Sequence, residues 1–437
     1  MKNNFLLLLL FLSINLYCDE KLTFSKAYNL TLKNSKKVES LNLKLDSSHE
    51  NITQAESRFY PEIAFYTSYT KNKYSFDKYN KQINQEVTDY NIVLQQPIFD
   101  KTIGSQVDTE NYRYKSYKNE VNYMKQELAK EILKIYLSLI QTKNRINMIQ
   151  SYVDYIKAKR DLIEEQYNMK LSTVTEILEI DTEYNQANID LENEKLLLII
   201  NKKKLTNFIG KNIDLKIPDL ENLSFISNNL DNLKKTLPEK NEVDLNLQLD
   251  KFKNIIQTYK HEVRTAKYNH LPKVNLNLQY TKNIDVTNSS SFNSTFDENK
   301  EIIVNINVPI YKGGYLNSKE IASKLNVKST EKELEYLQNE LNQQYDELNT
   351  TLNWSIRSIN LYKNALVTAK LFKKNIQKEY EYGLKSLIDL NEANYKILQL
   401  KDKYIENLST SIDTYVSLLI LTNSIEDLTL IDFILDS

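Results

Sequence analysis

The sequence contains few of the residues that interrupt regular structure. Across 437 residues it has 5 glycines and 6 prolines, while charged residues make up 26%. Because glycine and proline break helices and charged side chains solvate helix faces, this composition favours long helices. The formal net charge is -1, so no field of one sign points to nucleic acid as a partner.

Cysteine and histidine are almost absent, and their scarcity argues against several kinds of chemistry. A single cysteine, Cys18, leaves the chain without an internal disulfide. The three histidines, His49, His261 and His270, do not have metal-site spacing. The sequence also has no phosphate-binding glycine loop, nucleophile elbow or dinucleotide fingerprint. We therefore expect no enzyme, no metal site and no cofactor.

The N-terminus has the pattern of a secretory signal peptide over residues 1–18. Lys2 supplies the positive charge, and the apolar run from Phe5 to Leu12 is too short to span a bilayer. Cys18 is compatible with lipid attachment after cleavage, whereas Tyr17 argues against it because lipoprotein signals usually have a small residue there. No later apolar run approaches 18 residues, so no transmembrane helix is predicted.

The rest of the chain contains an internal duplication, in which matching residues of the two copies are separated by a nearly constant number of residues. Local sequences match around three pairs of residues, and such a long period is too large for a solenoid repeat. The sequence therefore predicts two copies of one large unit. The pairs are Pro61 and Pro272, 211 residues apart, Pro97 and Pro309, 212 apart, and Tyr167 and Tyr380, 213 apart.

Each copy contains two segments in which apolar and polar residues alternate. The pattern is clearest in copy two, where Val274, Leu276, Leu278 and Tyr280 alternate with Asn275, Asn277, Gln279 and Thr281. Alternation of this kind suits a half-buried soluble sheet and equally a membrane barrel with a polar lumen. The 30 tyrosines fit a lipid–water interface or a biased codon usage. Residues 72–84 and 284–299 are polar and are predicted to form loops.

A heptad pattern follows each pair of strands and predicts coiled-coil helices. From Ser105 to Tyr167 such a helix would be roughly 95 Å long at 1.5 Å per residue. A turn and a returning helix follow each long helix. Gly383 can supply a positive φ for the second turn, whereas Lys170 holds that place in the first, so the two turns need not be identical. The first seam comprises Leu128, Ile132, Ile135, Leu139, Thr142, Ile146, Ile149, Val153, Ile156, Arg160, Ile163 and Tyr167, and the second Leu334, Leu341, Tyr345, Leu348, Leu352, Ile359, Tyr362, Leu366, Ala369, Ile376 and Tyr380.

These signals predict a mainly α chain with β strands. Repeat 1 spans residues 19–209, with a helix over 22–58, strands over 61–72 and 86–98, and a hairpin over 102–208. A connector over 210–241 precedes repeat 2. Repeat 2 spans residues 242–421, with a helix over 242–268, strands over 272–283 and 300–310, and a hairpin over 316–421. Residues 422–437 form a C-terminal tail.

The chain resembles the TolC-like outer-membrane efflux protein family. The resemblance covers almost all of the chain after the signal peptide, including the duplication, and its most specific part is the segment from Tyr380 to Ala393. In the family a tyrosine, a glycine and a basic residue precede Asp-x-x-Asp-Ala at the periplasmic tip. The resemblance implies a homotrimer with a shared twelve-stranded outer-membrane barrel, four strands from each protomer, continued by an α-helical barrel in the periplasm. The connector and the tail would form an equatorial belt.

The resemblance also implies roles for residues at the tip. Asp389 and Glu392 match the acidic rings of the pore constriction, with Glu392 in place of the usual aspartate. Tyr380 and Lys385 match the residues that hold the tip shut, and Glu176 matches their partner within the protomer. Lys385 stands where an arginine is usual, so a bidentate interaction is lost.

The function implied is that of a passive outer-membrane exit duct in a tripartite efflux or type I secretion system. Its partners would be a periplasmic adaptor, an inner-membrane transporter of the RND, ABC or MFS type, and outer-membrane lipid. The alternative is a periplasmic adaptor or coiled-coil scaffold. Adaptors usually have one hairpin and glycine-rich lipoyl-like halves, whereas this chain has two predicted hairpins and few glycines.

Overall fold

The computed structural model of the protein describes residues 23–76, 81–210, 236–285 and 298–425. Four strands form one sheet, and long helices extend from it. The helices are α1 Phe24–Asn34, α2 Lys36–Ser57, α3 Lys101–Asn168, α4 Val174–Ile209, α5 Leu247–Tyr268, α6 Tyr315–Glu381 and α7 Leu387–Leu421, with a 3-10 turn at Lys240–Leu245. The strands are β1 Glu62–Phe76, β2 Lys81–Phe99, β3 Lys273–Asp285 and β4 Glu298–Asn307.

The sheet is an antiparallel meander in the order β1-β2-β3-β4. Its register places the alternating residues of all four strands in matched rows. One face therefore carries apolar rows and the other polar rows. Ile63, Leu94, Leu278 and Ile302 form one row, and Tyr66, Asn91, Thr281 and Asn299 form a row on the opposite face.

The first hairpin of the sheet is longer than the sequence pattern predicts. Residues 72–84 were predicted to be a loop, but β1 continues to Phe76 and β2 begins at Lys81. Backbone pairing between the two strands stabilises these polar residues, although their side chains carry no alternation signal. Pro97 lies within β2, at a register shift against β3. It comes after the last β2 residue that pairs with β1, so its missing N–H removes no hydrogen bond to β1.

The two helices that open the repeats are both interrupted, contrary to the single helices predicted over 22–58 and 242–268. Ser35 has extended backbone, with ψ 121°, between α1 and α2. Asn246, with ψ 131°, separates the 3-10 turn from α5. At each break an asparagine binds the end of a returning helix: Asn34 Nδ2 donates to Ile209 O at 2.8 Å, and Asn246 Nδ2 donates to Leu421 O at 2.8 Å. These contacts are tertiary, which is why helix periodicity did not reveal the breaks.

The long helices form two hairpins, α3–α4 and α6–α7. Helix α3 has 68 residues, about 100 Å at 1.5 Å per residue, and α6 has 67. The predicted seams are buried or half-buried along their length except at the tips, where Tyr167 and Tyr380 are 40% exposed. The two polar positions of the first seam are accommodated separately. Thr142 is buried, and Arg160 Nε lies 2.5 Å from Asp181 Oδ1 of α4.

The core is concentrated at the end of α7 and the facing middle of α3. Apolar residues of α1, α3, α4, α6 and α7 meet there in one cluster, whose largest fully buried side chain is Tyr404. Within the described residues, none of the helices combines the length and apolarity needed to cross a membrane. The predicted signal peptide with Cys18, most of the connector, most of the predicted second loop and the tail beyond residue 425 lie outside the described residues.

Candidate functional site: the hairpin tips

Both hairpins reverse direction through the same backbone turn. In the first turn Leu171 N donates to Gln166 O at 2.8 Å, and in the second Leu384 N donates to Glu379 O at 2.8 Å. Lys170 and Gly383 hold the same left-handed conformation, with φ 62° and 74°. The expectation that the turns could differ is therefore not met. Lysine adopts the conformation for which glycine was expected, at a cost in backbone strain.

Each returning helix begins with a capping box, in which the first acidic residue and the N-cap residue exchange hydrogen bonds. In copy one, Thr173 N donates to Glu176 Oε2 at 2.8 Å, and Glu176 N donates to Thr173 Oγ1 at 3.3 Å. In copy two, Ser386 N donates to Asp389 Oδ2 at 2.9 Å, and Asp389 N donates to Ser386 Oγ at 3.2 Å. The repeat thus places Glu176 and Asp389 in equivalent positions.

The residue that precedes each cap contacts the same carboxylate. Ser172 Oγ donates to Glu176 in copy one, and Lys385 Nζ donates to Asp389 Oδ1 at 3.3 Å in copy two. Hydrogen bonds from Ser386, first from its hydroxyl and then from its backbone, together with Lys385, lower the pKa of Asp389. Bonds from Ser172 and Thr173 lower the pKa of Glu176. Both carboxylates are therefore held in the charged form.

The structure does not bring all the predicted tip residues together. Lys385 pairs with Asp389, and within the described residues no ion pair joins it to Glu176. Tyr380 forms no side-chain hydrogen bond in the described part of the chain, although its carbonyl accepts from Gly383 N at 2.9 Å. Asp389 and Glu392, three residues apart, do share one face of α7. They line a groove of about 640 Å³ between α6 and α7, together with Lys385 and the apolar Phe372 and Ile376.

A polar layer joins the two hairpins beside the acidic residues, and the sequence pattern did not predict it. Asn394 Nδ2 of α7 donates to Ser151 Oγ of α3 at 2.9 Å, and Lys373 Nζ of α6 donates to Asn394 Oδ1 at 2.7 Å. Tyr152 Oη of α3 donates to Glu183 Oε1 of α4 at 2.5 Å. One connected set of contacts therefore includes all four helices, because the ring of Tyr152 lies 4.7 Å from that of Tyr395 on α7.

Tyr155 shows how close this layer lies to the candidate constriction. Burial and the neighbouring carboxylates raise the pKa of Tyr155, with Glu392, Glu183 and Asp389 contributing in that order after burial. The tyrosine is therefore a neutral hydroxyl within the electrostatic influence of the two candidate pore acids. Tyr152 and Tyr155 flank the apolar seam rather than occupying it. The only signal that could have identified them is the run of tyrosines at helical spacing beside that seam.

The family model described as "Outer membrane efflux protein" matches residues 27–211 and, separately, residues 245–424. The chain belongs to the outer membrane efflux protein family. This assignment confirms the resemblance found in the sequence. Members of the family serve as outer-membrane channels, so the chain is an outer-membrane efflux channel of a tripartite pump, with its helices in the periplasm.

Relatives of this efflux protein are similar over most of their length. Outer membrane protein TolC of Vibrio cholerae is 19% identical over 394 residues, which cover 90% of this chain and 87% of the relative. TolC of Escherichia coli is 22% identical over 380 residues, covering 82% and 73%.

Solved structures show the same fold. VceC of Vibrio cholerae aligns with a TM-score of 0.71 and 13% identity, covering 91% of this efflux protein and 95% of VceC. The CmeC outer membrane channel of Campylobacter jejuni aligns with a TM-score of 0.73 and 11% identity, covering 92% and 87%.

Proposed function

We propose that three copies of this chain close a twelve-stranded barrel in the outer membrane. The observation that carries the proposal is the four-stranded sheet, in which β1 and β4 pair on one side only within the described residues. An open edge is not tolerated in lipid, so the edges must meet other strands. The strands have 15, 19, 13 and 10 residues, enough to span a bilayer when tilted. Three copies supply twelve strands, an even number within the range of known barrels.

The helices of the same trimer would form a periplasmic tunnel from six hairpins of two related kinds. An internal duplication is supported by the two separate family matches and by the equivalent turns, capping boxes and asparagine contacts of the two halves. The hairpin lengths suit a duct that bridges the periplasm to a periplasmic adaptor and an inner-membrane transporter of the RND, ABC or MFS type. The duct would be passive, without an enzymatic role, and would serve drug efflux or type I secretion.

Asp389 and Glu392 are proposed to line the narrowest part of this tunnel. Three copies would place six carboxylates around a threefold axis, and a ring of this kind attracts cations and repels anions. Hydrogen bonds that lower the pKa of Asp389 keep it charged. Tyr380, Lys385 and Glu176 are proposed to hold the tip closed. For Lys385 this requires exchanging its bond with Asp389 for one with Glu176.

Conductance of the purified protein in planar bilayers tests the duct. The parent should form pores that multivalent cations block from the periplasmic side. Asp389→Ala combined with Glu392→Ala should raise the blocking concentration roughly tenfold or more, since the ring charge is removed. A control with Glu333→Ala and Glu335→Ala removes the same charge from α6 far from the tip, and its block should be unchanged. A chain that forms no pores contradicts the duct, and unchanged block in the first variant places the constriction elsewhere.

A second variant tests closure of the tip. Lys385→Glu should raise the single-channel conductance. The substitution removes the cation that would attract Glu176 in the closed tip, and it places a new carboxylate where it repels both Asp389 and Glu176. Lys396→Glu makes the same charge change on α7 in the same groove and serves as the control. Equal conductance in the parent and Lys385→Glu would exclude Lys385 from closure.

A further inference from the structure

A second groove lies at the opposite end of the helices, between α5 and α6. Its volume is about 610 Å³, and both walls belong to the same chain. The floor is apolar and includes Ile321 and Leu325, which are 57% and 58% exposed. Exposed branched apolar side chains one helical turn apart form a continuous strip, which is unusual on a surface that faces only water.

Cations surround this apolar strip. Five basic residues line the groove against one carboxylate, Glu331. Lys260 Nζ lies 3.7 Å from Glu331, and Lys324 Nζ lies 2.7 Å from Glu320. Within the described residues, the other three have no ion-pair partner within 4.0 Å. These three are Arg264, Lys267 and Lys328.

The groove begins where the chain leaves the sheet. Lys267 is the next-to-last residue of α5, which precedes β3, and α6 begins at Tyr315 after β4. Tyr311 and Tyr315 are 83% and 61% exposed there, in the position that aromatic side chains take at a lipid–water interface. Ile321 lies six residues beyond Tyr315, about 9 Å along the helix axis. With these tyrosines at the interface, the upper part of the groove would be level with the headgroups of the periplasmic leaflet.

We propose that this groove binds an anionic phospholipid of the periplasmic leaflet. The phosphate would lie between Arg264 of α5 and Lys328 or Lys324 of α6, and an acyl chain would cover Ile321 and Leu325. Arginine and lysine together suit a phosphodiester, because arginine offers a planar set of donors and lysine a mobile charge. Basic pockets beside membrane-spanning segments select anionic headgroups in the same way.

The apolar strip distinguishes a lipid from a free anion. Inorganic phosphate would use the cations and leave Ile321 and Leu325 in water, whereas a phospholipid covers both. A lipid held by two helices of one chain would fix how deep in the membrane the junction between the sheet and the helices lies. The inference relies on the outer-membrane location of the protein and does not depend on what the channel exports.

Lipid retention by the purified full-length channel tests the proposal. Native mass spectrometry would count lipids retained from micelles doped with phosphatidylglycerol or phosphatidylcholine. The parent should retain phosphatidylglycerol in preference, and Arg264→Gln with Lys328→Gln should lower that retention by about tenfold. Lys203→Gln with Lys204→Gln removes the same charge from α4 and should leave retention unchanged. Higher salt should weaken retention in the parent, because the groove is open to solvent.

A second pair of variants separates a lipid from a free phosphate. Ile321→Ser with Leu325→Ser should lower phosphatidylglycerol retention while all five cations remain. Full retention in that variant, together with displacement by millimolar inorganic phosphate, would overturn the lipid assignment. Equal retention of both lipids by the parent would overturn it too. Bilayer conductance of the same variants should match the parent. Loss of pores in the parent itself would instead contradict the channel function, and lipid retention would still be measurable.

Discussion

Four residues in left-handed backbone conformations end the helices of the two hairpins, and they form equivalent pairs. Lys170 and Gly383 close the tip turns, whereas Gly210 and Asn423 follow the returning helices. Each pair is 213 residues apart, and in each only one copy has glycine. The strained member is Lys170 at the first position and Asn423 at the second. Asparagine tolerates this conformation better than lysine does.

Relief of the strain at Lys170 should stabilise the protein. Lys170→Gly is expected to raise the free energy of unfolding by about 1 kcal/mol, because glycine adopts a positive φ without penalty. Gly383→Ala should lower it by a similar amount. A Cβ at Gly383 would meet no atom within 4 Å, so the cost arises from the backbone alone. Denaturant unfolding followed by circular dichroism would measure both.

Lys170→Ala is the control for the first substitution, since it removes the charge and keeps the Cβ. It should leave the stability near that of the parent. A gain equal to that of Lys170→Gly would attribute the effect to charge rather than to backbone conformation.

At the scale of elements, one asparagine contact attaches each returning helix to the start of its own repeat. The side chain of Asn246 makes two hydrogen bonds, and each has a separate role. Its Nδ2 donates to Leu421 O, while its Oδ1 accepts from Gln248 N at 2.8 Å and caps α5. Asn246 is 1% exposed, so water cannot replace either bond without opening the junction.

Asn246→Ala should therefore lower the free energy of unfolding by about 2–3 kcal/mol, since it removes a cap and leaves a buried carbonyl unsatisfied. Asn246→Asp keeps the cap acceptor but loses the donor to Leu421 O. It should also destabilise the protein, because the buried carbonyl of Leu421 is left without its donor. Unfolding monitored by circular dichroism measures each variant. A cost below about 0.5 kcal/mol for the alanine variant would contradict the anchoring role.

A buried histidine lies between α3 and α5. His261 is 7% exposed, its ring stacks on Tyr112 with centroids 5.2 Å apart, and its Nδ1 lies 3.2 Å from Asp108 Oδ2 without being directed at it as a hydrogen bond. Burial lowers the pKa of His261, opposed by Asp108 and supported by Arg264. The charged form is therefore disfavoured when the two helices are packed.

Acid should weaken this contact. Above pH 6.5 the imidazole is neutral in folded and unfolded chains, so it adds no pH dependence. As the pH falls below 6.5 the unfolded chain binds the proton first, and the folded state loses stability until the pH is below the lowered folded pKa. Thermal unfolding between pH 7.5 and 5 should show a smaller loss for His261→Gln than for the parent. His49→Gln, at an exposed site, should follow the parent, and identical curves for all three proteins would contradict the prediction.

At the scale of the whole molecule, the two sheet edges that lack a partner strand within the described residues would determine how copies assemble in the proposed trimer. Strands β1 and β4 run antiparallel across the sheet, so β4 of one copy can continue the meander into β1 of the next. The polar face places Ala64, Val93, Gln279 and Glu301 in one row. The β4 residue at one end of such a row would meet a β1 residue of the neighbouring protomer.

Cysteine cross-linking would reveal the closure. Ala64→Cys should be combined in turn with a cysteine at Asn299, Glu301, Ile303 or Asn305, which share its face of the sheet. At least one combination should give covalent dimers and trimers on non-reducing gels and no larger species, because the proposed twelve-stranded ring would close with three chains. Val93→Cys with Gln279→Cys joins neighbours of one chain and should give no ladder. Exclusive monomers in every combination, or an open series of larger species, would contradict the trimer.

The sequence by itself determined the order of the elements and the presence of long seamed helices. Both follow from local periodicity: alternation along Val274 to Tyr280 suits only a strand, and the seam from Leu128 to Ile156 suits only a packed helix. The tip motif around Asp389 was also found in the sequence, through the resemblance of the segment from Tyr380 to Ala393 to the tip motif of the family.

Tertiary structure alone decided where helices break and which side chains meet. Asn34 and Asn246 mark breaks because they bind carbonyls more than 170 residues away along the chain. The layer formed by Tyr152 and Tyr395 joins helices from different repeats. Contacts of this kind depend on the packing of distant segments, and no periodicity within one segment encodes them.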